Sequence, residues 1–218
     1  MLRLFSAALV FCAFLLGIAA ATSLLAALLM LSQRNLKRLL VLSTIEDVGF
    51  LLLGLTSASV LGASGALTAA ATHSLAKALL FACLSGPEAA GALDGQHKGL
   101  AARYPVSTFG FLFGMLAMLG VPPTMGFVGR WKLYETALNI SPLLLATFIV
   151  ASILALIAYV LALTRIWWGP AHDTDPPPIP ASKAEPLLLQ GTIIALVTLL
   201  LVAGVWPNAL QFLHWGRL

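Results

Sequence analysis

Six apolar runs divide this chain, at residues 5–32, 39–60, 64–86, 106–138, 142–168 and 185–206. At 1.5 Å per residue, about 20 apolar residues cross a bilayer's hydrocarbon layer as a helix. A soluble chain of 218 residues has no core large enough to hide six such runs. In lipid the backbone must satisfy its own hydrogen bonds, and no run shows the alternation of a barrel strand, so the spans are helices. The expected fold is all-α: a polytopic membrane helix bundle of about six spans, forming one transmembrane domain over residues 1–218. Composition agrees, with 9% charged residues against roughly 25% in an ordinary soluble domain. The first run resembles a signal peptide at its start, but it continues through Leu31, too long for a signal core, and reads as a span.

The fourth run is interrupted at Val121-Pro122-Pro123-Thr124. Two prolines remove two backbone donors, so the run is expected to be two half-helices joined by a short break at Pro122 and Pro123. Non-helical backbone at membrane depth survives only inside protein or beside a wet cavity. Two connections are long. Residues 87–105 are polar and mixed, and residues 169–184 are Pro-rich and therefore extended. Neither is long enough to form a domain.

Basic residues set an orientation. With six spans, Arg34, Lys37, Arg38, Lys98, Arg103, Arg165 and Lys183 fall on one face, and Arg3 and Arg217 on the other. The positive-inside rule places the first set in the cytoplasm, in the cell inner (plasma) membrane. The net charge of +4 thus speaks to membrane orientation, and nucleic acid is not an expected partner.

An ionisable side chain at the bilayer centre costs from about 2.5 to more than 10 kcal/mol, so each one marks a functional candidate. Glu46 and Asp47 lie well inside the second run. Adjacent helical residues point about 100° apart, so at most one is expected to face a given partner. In the third run His73 and Lys77 are four residues apart, on one helix face. Two basic groups stacked in apolar surroundings discourage each other's protonation, a setting suited to proton exchange. Lys77 is also expected to meet Glu46 or Asp47, directly or through one water. After the double proline come Arg130, Lys132 and Glu135. Arg130 and Glu135 do not share a face, whereas Lys132 and Glu135, three apart, can pair. Against a pathway role, Arg130 and Lys132 also suit snorkelling in an aromatic belt with Trp131 and Tyr134.

No phosphate-cradling glycine loop, metal-ligand spacing, heme-attachment motif or nucleophile elbow is present. Cys12 and Cys83 lie in apolar runs and read as packing residues. No catalytic residue, metal or cofactor is expected.

The segments RNLKRLLVLSTIEDVGFLLLGL (34–55), THSLAKALLF (72–81), GLAARYP (99–105) and LGVPPTMGFVGRWKLYETAL (119–138), in this order, resemble a known family. It is that of the proton-conducting antiporter-like subunits of respiratory complex I, Mrp-type cation/proton antiporters and membrane-bound nickel–iron hydrogenases. The resemblance covers the family's C-terminal half. It implies that Lys37 belongs to a central hydrophilic axis, although its bare reading is a loop charge, and that His73 and Lys77 belong to a later axis helix. The histidine some members carry eight residues before that lysine is Ala69 here. Arg130 stands where members usually carry Lys or Glu; a guanidinium stays protonated, which counts against shuttling there. Glu46 is most similar to the hydrogenase-type branch. Members have roughly twice as many helices, so the resemblance implies either a fragment of a longer product or a split subunit whose partner supplies the N-terminal half.

Together these readings predict a proton pathway of Lys37, Glu46, Asp47, His73, Lys77, Arg130, Lys132 and Glu135. The expected function is a proton-translocating, antiporter-like membrane subunit of a redox-driven complex, such as NADH:quinone oxidoreductase or a membrane-bound hydrogenase. Its redox chemistry would belong to other subunits. The alternatives are a subunit of an Mrp-type cation/proton antiporter and a non-conducting scaffold. All three imply other membrane subunits and the lipid bilayer as partners.

Overall fold

The computed structural model describes residues 2–91, 93, 99–169 and 185–206, with side chains described from residue 10 onward. Every regular element among them is helical: α1 (Leu2–Leu31), α2 (Leu36–Thr56), α3 (Val60–Ala89), α4 (Pro105–Leu119), α5 (Met125–Ile140), α6 (Pro142–Ala162) and α7 (Leu187–Val205). A 3₁₀ turn over Leu100–Ala102 precedes α4, and α6 runs on into a π-helical turn over Leu163–Trp167. The Pro-rich residues 170–184 lie outside the described residues, as do Lys98, Lys183, Arg217 and the side chain of Arg3.

Local chemistry sets the helix starts. The Asn35 side chain accepts from the amides of Lys37 and Arg38 at 2.9 Å and 3.2 Å, satisfying donors that have no partner within α2. Ser59 does the same for Gly62 at the start of α3. Ser141 caps α6, with Pro142 in its first turn, where a missing N–H costs nothing.

Five helices are long and apolar enough to cross a membrane among the described residues, beginning at Val10, Leu36, Val60, Pro142 and Leu187. The remaining predicted span is carried by α4 and α5. Helix α4 ends at Leu119, Gly120 adopts φ 70° and closes its last turn, and α5 begins at Met125. The Pro122–Pro123 peptide in between is cis.

The half-helices follow α3 in sequence. Gly110 packs on Cys83 and Leu79, Gly114 on Leu80, Gly129 on Ala69, and Gly65 on Leu133. From Cys83 to Gly65 is 18 residues, or roughly 27 Å of helix, close to the thickness of the hydrocarbon layer. The two short helices therefore do together the work of one span. Helix α3 is the central element, packed on α2, α4, α5 and α7, while α1 lies against α2 and α6.

Two apolar clusters form the core. One gathers Leu36, Leu39, Leu40, Leu79, Leu80, Met118 and Tyr159, along with Leu100 and Trp167. The other gathers Ala19, Phe50, Leu53, Ala66, Leu133 and Phe148. On α2 the first cluster takes residues 36–40 and the second takes 50–53; on α3 they take 76–84 and 66. The buried side chains between them on α2, α3 and α5 include Ser43, Glu46, Asp47, Thr72 and Arg130.

Candidate functional site

The polar layer is assembled from three helices. Helix α2 contributes Ser43, Glu46 and Asp47, α3 contributes His73 and Lys77, and α5 contributes Arg130. All but His73 are buried, with Glu46 2% and Arg130 4% exposed. Charges so far from water require partners, and the geometry supplies them.

Arg130 joins the two carboxylates. Its Nη1 and Nη2 donate to the two oxygens of Glu46 at 3.3 Å and 3.2 Å, and Nη2 donates to Asp47 Oδ1 at 2.6 Å. The expectation that only one of Glu46 and Asp47 would meet a given partner is thereby corrected. A planar guanidinium has five donors in a fork, broad enough to reach two side chains that leave the helix at different angles. Nη2 also donates to the Met118 carbonyl at 3.0 Å. That carbonyl belongs to the last turn of α4, where intrahelical donors have run out, so the helix break itself provides one of the arginine's acceptors. Gly120 makes room: a Cβ there would fall 2.5 Å and 2.7 Å from the arginine's Cγ and Cβ. The guanidinium carbon lies 3.7 Å from the centre of the Phe50 ring, a cation–π contact on the second apolar cluster.

Asp47 is shared. Its second oxygen, Oδ2, lies 2.7 Å from His73 Nδ1. Ser23 of α1 donates to the Glu46 backbone carbonyl at 2.8 Å, holding this part of α2 against α1.

Lys77 makes different contacts. Its ammonium donates to Ser43 Oγ at 2.5 Å and to the Leu40 carbonyl, and neither carboxylate is in direct contact with it. The expected direct pairing of Lys77 with Glu46 or Asp47 is not made: the carboxylates are taken by Arg130, and Lys77 ends on Ser43 and the Leu40 carbonyl. His73 and Lys77 share a face of α3 as the four-residue spacing implies, but one reaches toward Asp47 and the other toward Ser43.

Three predicted residues lie outside this layer. Lys37 sits in the first turn of α2, half-exposed, in an ion pair with Glu88 in the last turn of α3. It is one turn from Leu40, whose carbonyl holds Lys77. Lys132 and Glu135 form no ion pair with each other. Glu135 instead lines a groove between α5 and α6 with Trp131, Tyr134 and Ser152. Ser43 was not among the predicted residues, although its position three residues before Glu46 places it on the same face. The Met118 carbonyl, a backbone group in an apolar turn, gave no signal at all.

Five long spans and a broken sixth around a buried ionic layer, among the described residues, define a polytopic helical membrane protein. The chain belongs to the NADH:quinone oxidoreductase/Mrp antiporter transmembrane family, whose model matches residues 1–155. It is 31% identical over 185 residues to NADH-quinone oxidoreductase subunit N of Alkalilimnicola ehrlichii, covering 83% of this chain and 37% of that protein. It is 32% identical over 203 residues to the subunit N of a Parafrankia species, covering 89% of this chain and 37% of that one. The chain thus spans under half the length of these curated relatives. Among solved structures, respiratory complex I from Thermus thermophilus with bound NADH holds a chain similar at a TM-score of 0.79 and 26% identity, over 92% of this chain and 42% of that one. The Mrp complex from Dietzia shares the fold, with a TM-score of 0.80 and 22% identity over 92% of this chain and 45% of its own.

Proposed function

We propose that the chain is a proton-translocating, antiporter-like part of a redox-driven complex in the inner membrane, with the electron chemistry on other subunits. The observation that carries this reading is the layer of Glu46, Asp47, His73, Lys77 and Arg130, all buried but His73, placed between two apolar clusters. Five ionisable groups in apolar surroundings are expensive to keep and mark an ion pathway. Lys77 is the exchanging group. It lacks a direct carboxylate partner, its ammonium rests on neutral acceptors, and a charge change nearby alters its hold on the proton. Arg130 is the fixed counter-charge bonded to both Glu46 and Asp47, and partly exposed His73 is the exit from Asp47. The Lys37–Glu88 pair is the half-exposed end of the route. Lys132 and Glu135 are its outlying members at the α5–α6 groove. A segment equivalent to the family's other half, together with further membrane subunits, completes the path. The names of the relatives, NADH-quinone oxidoreductase subunit N, support the redox-driven assignment.

A second reading has its own observation. Arg130 engages both carboxylates at once, and a residue that never releases its proton suits a non-conducting scaffold equally well. The decisive test is Lys77→Arg beside Lys77→Ala in the native complex, measuring translocation and complex yield. The conducting reading expects both to stop translocation in an assembled complex, because guanidinium cannot release a proton. Normal translocation by an assembled Lys77→Arg complex would make Lys77 structural. The Mrp-type antiporter alternative expects cation-driven proton movement without any electron donor, and the same vesicles report it.

A further inference from the structure

Helices α5 and α6 run back to back, joined at Ser141, and leave a groove between them. Leu119 and Val121 close it at the helix break, Leu138 and Leu145 lie at its other end, and Ile149 and Leu156 line it in between. Its volume is about 470 Å³. Its length is roughly 16 Å, the rise of α6 from Leu145 to Leu156. Volume over length leaves roughly 30 Å² in cross-section, about 6 Å across, against about 10–12 Å for a helix with its side chains. The groove admits one extended chain and excludes a helix.

Depth follows from packing on α3. Cys83 and Gly65 mark the two edges of the hydrocarbon span, and Gly65 packs on Leu133 of α5. Glu135 lies two residues nearer the end of α5, roughly 3 Å further out, which puts it at headgroup level. From there the groove runs inward to the break at Val121, near mid-membrane. Glu135 is exposed and has no ion pair or hydrogen bond among the described residues. Lys132 is turned the other way, its Cβ against Gly65 of α3. Tyr134 Oη and Ser152 Oγ bond each other at 2.6 Å, so neither competes for the carboxylate. Trp131, one turn before Glu135 and 59% exposed, adds an aromatic ring to the groove, steadied by Phe127 at a centroid distance of 5.8 Å.

We propose that the α5–α6 groove seats one acyl chain of an aminophospholipid whose primary ammonium pairs with Glu135. Charge and width select this occupant. The carboxylate attracts an ammonium and repels a headgroup that carries only phosphate charge. A primary ammonium also donates N–H bonds to a carboxylate oxygen, and the quaternary ammonium of a choline lipid has none to give. The Trp131 ring adds cation–π attraction at the same depth. A chain running from headgroup level to mid-membrane is what one leaflet supplies, half of a hydrocarbon layer about 30 Å thick. A neighbouring transmembrane helix is too wide to enter. The inference stands on the groove and its one carboxylate, and does not rest on the conducting reading of Lys77.

The test uses the native complex in vesicles of phosphatidylethanolamine, phosphatidylcholine and phosphatidylglycerol in equal parts. In parallel preparations each lipid in turn carries the same photoreactive acyl chain, and labelled residues are identified by mass spectrometry. The readout is label on the groove residues of α5 and α6 relative to label on the rest of the complex. Phosphatidylethanolamine is expected to label the groove roughly three- to fivefold more than either other lipid, the scale of an exposed ion pair. Glu135→Gln is expected to bring the lipids to parity, and Glu135→Asp to keep the preference. Ile153→Trp, which fills the groove from a half-exposed position, is expected to remove groove label from all three. Equal labelling by the three lipids in the parent complex overturns the headgroup assignment without recourse to any variant. A preference that survives Glu135→Gln overturns the role of Glu135, and label unmoved by Ile153→Trp overturns the seat. Groove residues left unlabelled while the rest of the complex is labelled would mean that a protein segment fills the groove, and would overturn the proposal.

Discussion

Replacing Arg130 with methionine removes a cation that touches both buried carboxylates. The variant keeps a long, flexible, apolar side chain, so the packing on Phe50 and Gly120 is largely retained, and the loss is electrostatic. Four hydrogen bonds disappear: two to Glu46, one to Asp47 and one to the Met118 carbonyl. They leave two acidic groups, 2% and 6% exposed, with His73 on Asp47 and no direct side-chain partner on Glu46 among the described residues. Removing one partner of a buried ion pair destabilises by about 3–5 kcal/mol. At this chain length that corresponds to a fall in melting temperature of roughly 6–20 °C. The assay is thermal unfolding of the native complex in detergent and in lipid, followed by loss of the assembled chain. Arg130→Lys keeps the charge but not the fork, and is expected to fall between the two. The triple variant Glu46→Gln, Asp47→Asn, Arg130→Met removes the stranded charges together with their cation and is expected to regain most of the loss. A single Arg130→Met variant that melts within about 1 °C of the parent, less than 0.5 kcal/mol by the same conversion, would show that Arg130 does not hold the layer together.

The remaining expectations are smaller in scale. Gly49→Ala places a Cβ 2.6 Å from the Ala19 carbonyl and 2.9 Å from the Ser23 amide, and this overpacking of α1 on α2 should destabilise by about 1–3 kcal/mol, read as reduced yield of the complex. Glu185 accepts from the Val106 and Ser107 amides at 3.3 Å and 2.7 Å, so Glu185→Ala leaves the start of α4 uncapped. It should cost about 0.5–2 kcal/mol, with faster hydrogen exchange confined to the first turn of α4. Lys37→Met breaks a half-exposed ion pair with Glu88 worth under about 1 kcal/mol. Melting temperature should barely change, while the proposed role at the end of the route requires slower translocation; an unchanged rate would remove Lys37 from the path.

Much of the architecture followed from the sequence because lipid leaves a chain few options. Once the backbone must satisfy itself, long apolar runs become helices, and the run lengths near 20 residues set their number. Asn35, Ser59 and Ser141 cap three helix starts through chemistry that acts over only two or three residues. His73 and Lys77 were legible as one face of α3 because their spacing is local geometry. The pairing of charges was not legible. Glu46 and Asp47 are 84 and 83 residues from Arg130 in sequence, and which cation would reach them depended on how α3 and α5 pack on α2. The close approach of α5 came from Gly129 on Ala69 and Gly65 on Leu133. That brought a long, forked arginine level with the carboxylates and left the shorter-reaching contacts of Lys77 to Ser43 and Leu40. Sequence decided what each helix could bury, because hydrogen bonding and hydropathy act along the chain. Tertiary packing alone decided which buried groups would meet, because side-chain reach is a few ångströms and the partners come from different helices.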